Sequence, residues 1–165
     1  MKKKPADIGV ESFRNGLNCA QSVLTTYASE LNIDNKLAKD IASGFGGGMG
    51  KLQLTCGAVT GSFMVISQYN SQIYMDDKES KKKTNLMIQN FSDNFISIHG
   101  TMDCSSLINC DLKTEKGQNY ARENNLYEKV CEKCVSDSIG IIEDLIREWT
   151  CWAFDQKNMK KWQGY

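Results

Sequence analysis

The chain is expected to be all-α, a bundle of about five to seven helices with a glycine-rich loop between two of them. Three observations predict this. Apolar residues recur three and four apart through most of the 165 residues, the spacing of one helical face. No stretch alternates with the period of two that a half-buried strand requires. The single proline, Pro5, leaves everything after it free of the strongest helix breaker.

Residues 1 to about 8 read as a charged, mobile lead. Val10, Phe13 and Leu17 then share helical spacing, ending near Gly16. Asn18 is a candidate N-cap, with Cys19 and Ala20 in the first turn of the next helix. Val23, Leu24, Tyr27 and Leu31 form its buried stripe. Asp34 caps a short helix in which Leu37, Ala38 and Ile41 share a face, and Ser43-Gly44 stops it.

The run from Gly44 to Gly50 holds five glycines in seven residues. It belongs to no regular element, and glycine is favoured where a backbone turns left-handed or approaches something closely. A helix from about Cys56 to Tyr69 follows. Gly57 and Gly61 lie on one face of it, leaving a groove into which another backbone or a cofactor fits. For Gly61, close helix–helix packing is the expected role.

A long helix is expected from about Asp77 to Ile98. Its first half carries Lys78, Lys81, Lys82 and Lys83; its second half carries Leu86, Met87, Phe91, Phe95 and Ile98 at helical spacing. The lysine run is read as a solvated face. His99, the only histidine, sits at that helix's end and is read as a capping or surface group. Asp103 caps a short turn with Cys104, Leu107 and Ile108, and Thr114 opens a polar segment. The last long helix runs from about Leu126 to Trp149, its stripe made by Val130, Cys134, Ile141, Leu145 and Trp149. Residues 150–165 are read as a C-terminal tail, and residues 1–165 as a single helical domain.

Twenty basic residues balance twenty acidic ones, so no nucleic-acid-binding surface is expected. Met1-Lys2-Lys3-Lys4-Pro5 starts like a signal peptide, but Asp7 and Glu11 occupy the place of its apolar run. No window suits membrane insertion, and a cytoplasmic location is expected. Trp149, Trp152, Phe154 and Trp162 make an aromatic C-terminal segment that suits packing on a second copy, a homodimer.

Seven cysteines in a reducing compartment point to redox or metal chemistry more than to a disulfide frame. Cys19 and Cys56 each fall at a helix N-terminus, where unpaired amides and the helix dipole stabilise a thiolate. Cys131 and Cys134 are three apart on one helix, so their sulfurs can face one side. One C-x-x-C without a second disfavours a zinc ribbon. A lone buried cysteine is most simply a small hydrophobe; several converging suit soft metals or clusters.

Asn18-Cys19-Ala20-Gln21, the glycine run from Gly44 to Gly50 and Cys56-Gly57-Ala58-Val59-Thr60-Gly61 resemble the C_GCAxxG_C_C family of redox-active proteins. Cys104 and Cys131 resemble its third and fourth cysteines, and the likeness runs from about Phe13 to Leu145. A related domain occurs in split-Soret cytochromes. The resemblance implies electron transfer through an iron–sulfur cluster on Cys19, Cys56, Cys104 and Cys131, with Cys134 as the alternative fourth ligand. The amides of Gly46, Gly47, Gly48 and Gly57 would then contact the cofactor, and a redox partner protein is implied. No C-x-x-C-H is present, so covalent haem is not expected. Two alternatives stay open: a thiol–disulfide or sulfur-transfer oxidoreductase in which Cys56 attacks, with Cys19 or another cysteine resolving, and a structural zinc protein. Cys110, Cys134 and Cys151 exceed the four-cysteine pattern. Cys151 is expected to be dispensable and Cys110 to neighbour the site.

Overall fold

The computed structural model describes residues 3–162, with side chains for residues 3–148. Eight α-helices are found among them, and no strand. They are α1 (Pro5–Arg14), α2 (Cys19–Tyr27), α3 (Asn35–Ala42), α4 (Gly57–Ile73), α5 (Asp77–His99), α6 (Cys104–Ile108), α7 (Glu115–Glu123) and α8 (Lys133–Trp162). A 3₁₀ turn, Ser43–Phe45, extends α3, and a π-helical stretch, Tyr127–Glu132, leads into α8. The count exceeds the expected five to seven because the short segments after Asp103 and Thr114 are complete helices.

Local chemistry accounts for most starts. Asn18 and Gln21 form a reciprocal capping box: the Gln21 amide donates to Asn18 Oδ1 at 2.9 Å, and the Asn18 amide to Gln21 Oε1 at 3.0 Å. Asp34 accepts from the Leu37 amide at 2.9 Å, and Asp103 from that of Ser106 at 2.8 Å. Helix α5 closes on Gly100, whose φ is 77°.

Two expectations about the ends are corrected. The mobile lead is overtaken by α1, which begins at Pro5; proline's fixed φ and missing N–H suit a first helical turn. The backbone of α8 continues to Trp162, through most of the segment read as a tail. The side chains of Trp149, Cys151, Trp152, Phe154 and Trp162 lie outside the described residues, as does any test of the dimer they suggested. No helix among the described residues is long and apolar enough to cross a membrane.

One apolar core joins α1 to α5 and α8, centred on Tyr27, Ile66, Met87, Phe91, Phe95, Ile139 and Ile142. A smaller cluster, Ile108, Leu112 and Ala121, packs beside it under α6 and α7. The tightest helix pair is α2 on α4. A Cβ placed on Gly61 would stand 2.8 Å from the Ala20 carbonyl oxygen and 3.0 Å from Ala20 Cα, so the groove read from the sequence is filled by a helix backbone. Gly61→Ala is therefore expected to overpack this contact and cost about 1–3 kcal/mol. Thermal melting would check it: the variant should melt several degrees lower, and an unchanged melting temperature would contradict the packing.

Candidate functional site

Gly57, at the first turn of α4, does for the site what Gly61 does for the helix pair. A Cβ there would lie 3.1 Å from Cys19 Cβ and 2.9 Å from the Phe45 carbonyl oxygen. The N-termini of α2 and α4 can thus meet, and with them Cys19 and Cys56.

Cys104 arrives by a non-local route. The Cys56 amide donates to the Met102 carbonyl at 2.8 Å, the Cys104 amide to the Leu54 carbonyl at 2.7 Å, and the Ser105 amide to the Gln53 carbonyl at 3.2 Å. A single antiparallel bridge, Thr55 with Asp103, results. It sets the starts of α4 and α6 side by side. The buried Gln53 side chain extends the splice: its Nε2 donates to the Cys110 carbonyl at 2.7 Å, and its Oε1 accepts from the Leu112 amide at 2.8 Å.

The glycine run makes a left-handed turn. Gly47, Gly48, Met49, Gly50, Lys51 and Gln53 have φ between 60° and 66°. Such a conformation costs an L-residue about 1–2 kcal/mol. Backbone hydrogen bonds hold it, from Gln53 to the Gly47 carbonyl at 3.1 Å and from Leu54 to the Gly48 carbonyl at 3.0 Å. The amides of Gly46, Gly47 and Gly48 have no backbone acceptor among the described residues.

The fourth wall comes from the π-helical stretch and the start of α8, which carry Cys131 and Cys134. A forked ion pair secures it to α1: Arg14 Nε and Nη2 donate to the two carboxylate oxygens of Glu132 at 2.9 and 2.8 Å.

These elements enclose a cavity of about 440 Å³. Cys19, Cys56, Cys104, Cys131 and Cys134 all line it, with Gly46, Gly47, Gly48 and Gly57. Every cysteine named from the sequence as a candidate ligand therefore meets the others in one place. Cys110 does not line the cavity; it packs beside Cys131 in the smaller cluster. The six described cysteines are free thiols. No three of the described His, Cys, Asp or Glu side chains gather round one point as a single metal ion needs.

The cavity thiols differ in their electrostatics. Cys56 is held below the ordinary thiol range, first by a hydrogen bond from Cys134 and then by the amides of Ala58 and Val59 at the start of α4. Its partner Cys134 is pushed far up by that same hydrogen bond and by burial. Cys19 is raised by its hydrogen bond to Cys131 and by burial. Burial, with the neighbouring Cys56 and Cys131, pushes Cys104 up to about 12.

His99 is a correction. Its ring is buried, with 8 % of the side chain exposed, and stacks on Phe95 at 4.3 Å between centroids. Nδ1 lies 4.0 Å from Cys134 Sγ, and Nε2 lies 3.1 Å from Asp137 Oδ2. Burial lowers its pKa. The signal for this was present: Met87, Phe91, Phe95 and His99 follow one another four apart, so the histidine continues the apolar face of α5.

A family model described as "Putative redox-active protein (C_GCAxxG_C_C)" matches residues 17–145. No curated protein and no solved structure gives a match.

Proposed function

The chain belongs to this redox-active family, and from that premise we propose that it transfers electrons through an iron–sulfur cluster held by Cys19, Cys56, Cys104 and Cys131. The observation that supports this most is the gathering of five cysteines from four separate parts of the chain around one 440 Å³ cavity. Thiols are the donor set of iron–sulfur centres.

When bound, such a cluster supplies one-electron storage. The protein's own residues supply the rest. Cys56 is held below the ordinary thiol range by Cys134 and by two helix amides. The amides of Gly46, Gly47 and Gly48 lack backbone acceptors among the described residues and line the cavity. They are placed to donate to sulfur, which stabilises added negative charge and raises a cluster's potential. The apolar walls, including Phe13, Leu107 and Val130, limit water at the centre. Its electrons would be exchanged with a partner protein.

A second reading, thiol–disulfide exchange with Cys56 attacking, is favoured by one feature: Cys56 is held below the ordinary thiol range while Cys134, which lines the same cavity, is pushed up. Optical spectroscopy on anaerobically purified full-length protein separates the two. The iron–sulfur reading expects a brown sample whose visible absorption bleaches on reduction and returns on reoxidation. A colourless sample, even after anaerobic reconstitution with iron and sulfide, would overturn it.

A further inference from the structure

Asn18 bonds to two elements at once. Its Oδ1 accepts from the Gln21 amide at 2.9 Å, which caps α2. Its Nδ2 points the other way and donates to the Ser43 carbonyl at 2.9 Å, with the Ala42 carbonyl at 3.4 Å. Gln21, the other half of the capping box, reaches across as well: its Nε2 donates to the Lys39 carbonyl at 2.9 Å. The one box therefore serves the start of α2 and also carbonyls at the end of α3 and in its 3₁₀ turn, groups that a helix end leaves without partners. The direction of the carboxamide is fixed, because only its oxygen can accept from an amide and only its nitrogen can donate to carbonyls.

The glycine run meets the same side chain. Gly46 has φ −67° and ψ 150°, a conformation open to any residue. Backbone geometry does not require glycine there; space does. A Cβ on Gly46 would stand 2.5 Å from Asn18 Cβ, 2.6 Å from its Cγ and 2.8 Å from its Nδ2. Gly46 thus lies against the Asn18 side chain, and the left-handed turn that begins at Gly47 starts from that contact. Both residues line the thiol cavity, and Asn18 directly precedes Cys19.

We infer that Asn18 is a positioning residue of the site: its carboxamide clamps the glycine loop to the start of α2 and so fixes the loop amides relative to Cys19. The consequence for cofactor binding rests on the iron–sulfur reading above. A loop released from Asn18 would no longer hold the Gly46, Gly47 and Gly48 amides at the cavity, and loading of iron and sulfide would fall.

The test separates the clamp from the cap. Asn18→Asp keeps the oxygen that caps α2, aspartate being a preferred N-cap. It turns its second oxygen on the Ser43 and Ala42 carbonyls, acceptor against acceptor. Asn18→Ser keeps a capping oxygen and removes the donor without adding charge. Gly46→Ala pushes on the same contact from the loop side. Gly44→Ala, whose Cβ meets nothing within 4 Å, is the control. Hydrogen–deuterium exchange of the full-length chain, stripped with a chelator, is read in two places: the bonded amides of Met49, Lys51, Gln53 and Leu54, and those of α2 from Val23 to Tyr27. The expected result for Asn18→Asp, Asn18→Ser and Gly46→Ala is exchange several-fold faster in the loop and unchanged in α2, with Gly44→Ala like the parent. Anaerobic reconstitution should then give several-fold less bound iron in those three variants. Loop exchange at the parent rate in both Asn18 variants would overturn the clamp. Equal acceleration in α2 would reduce Asn18 to a helix cap. A loosened loop with iron loaded as in the parent would overturn the positioning role. A parent chain that loads neither iron nor sulfide loses the iron–sulfur reading, and the exchange result alone then decides the clamp. A parent that loads them, beside variants that load and exchange as it does, keeps the reading and loses the inference.

Discussion

Cys56→Ser is expected to empty the site while the fold remains. Cys56 is the N-cap of α4, and serine is among the preferred residues there, so the helix start should survive with little change in stability. What serine cannot supply is a thiolate. Cys56 is the cavity cysteine whose pKa is held down, by Cys134 and by two helix amides, and it is tied to Cys104 through the Met102 and Leu54 carbonyls. Removing a direct ligand should exceed the roughly 10–100-fold loss of affinity that follows from disturbing an outer partner. Iron analysis together with circular dichroism gives the check. The expected outcome is helix content like that of the parent with bound iron lost. Retained iron would remove Cys56 from the ligand set, and a collapsed spectrum would mean that its role is structural. Cys19→Ser should behave in the same way.

Gly48→Ala should damage fold and site together. The φ of Gly48 is 66°, and an added Cβ would stand 2.7 Å from Cys104 Cβ and 2.8 Å from both Gln53 Cα and the Leu54 amide nitrogen. Two of these three neighbours are backbone atoms of the segment that pairs with Cys104, so little can move aside. The left-handed strain costs about 1–3 kcal/mol, and overpacking adds about 1–3 kcal/mol. A denaturant titration should show a loss of about 2–6 kcal/mol from the sum of these effects, with bound iron falling in parallel. Gly44→Ala is the control, because nothing lies within 4 Å of its Cβ position; it should bind iron like the parent. Equal behaviour of the two variants would mean that the left-handed turn does not position Cys104.

What could be read in advance followed the range of the interactions. Asn18, Asp34 and Asp103 were legible as caps because a cap is decided within four residues. The close approach of α2 to α4 was legible because Gly57 and Gly61, four apart, leave a groove on one face of the helix. The place of Cys104 was not derivable from spacing. It depends on amides and carbonyls of residues 53–56 pairing with residues 102–105, and backbone groups carry no sequence signature. The resemblance named Cys104, and the bridge supplies the physical reason for its position. Cys134 was noticed as one half of a C-x-x-C, but the cavity it shares with Cys56 joins two helices far apart in the chain. His99 was misread because its place at a helix end was weighed and its place on the Phe91–Phe95 face was not. The lead was misread because Pro5 was treated as a breaker when at a first turn it is a starter.

The central claim is that the thiol-lined cavity holds an iron–sulfur centre, and the most direct measurement is iron and acid-labile sulfide per chain. It should be made on full-length protein purified without oxygen, with Cys56→Ser beside it. The account predicts iron and sulfide in near-equal, whole-number amounts in the parent and neither in the variant. Parent protein that carries neither, before or after anaerobic reconstitution, would contradict it.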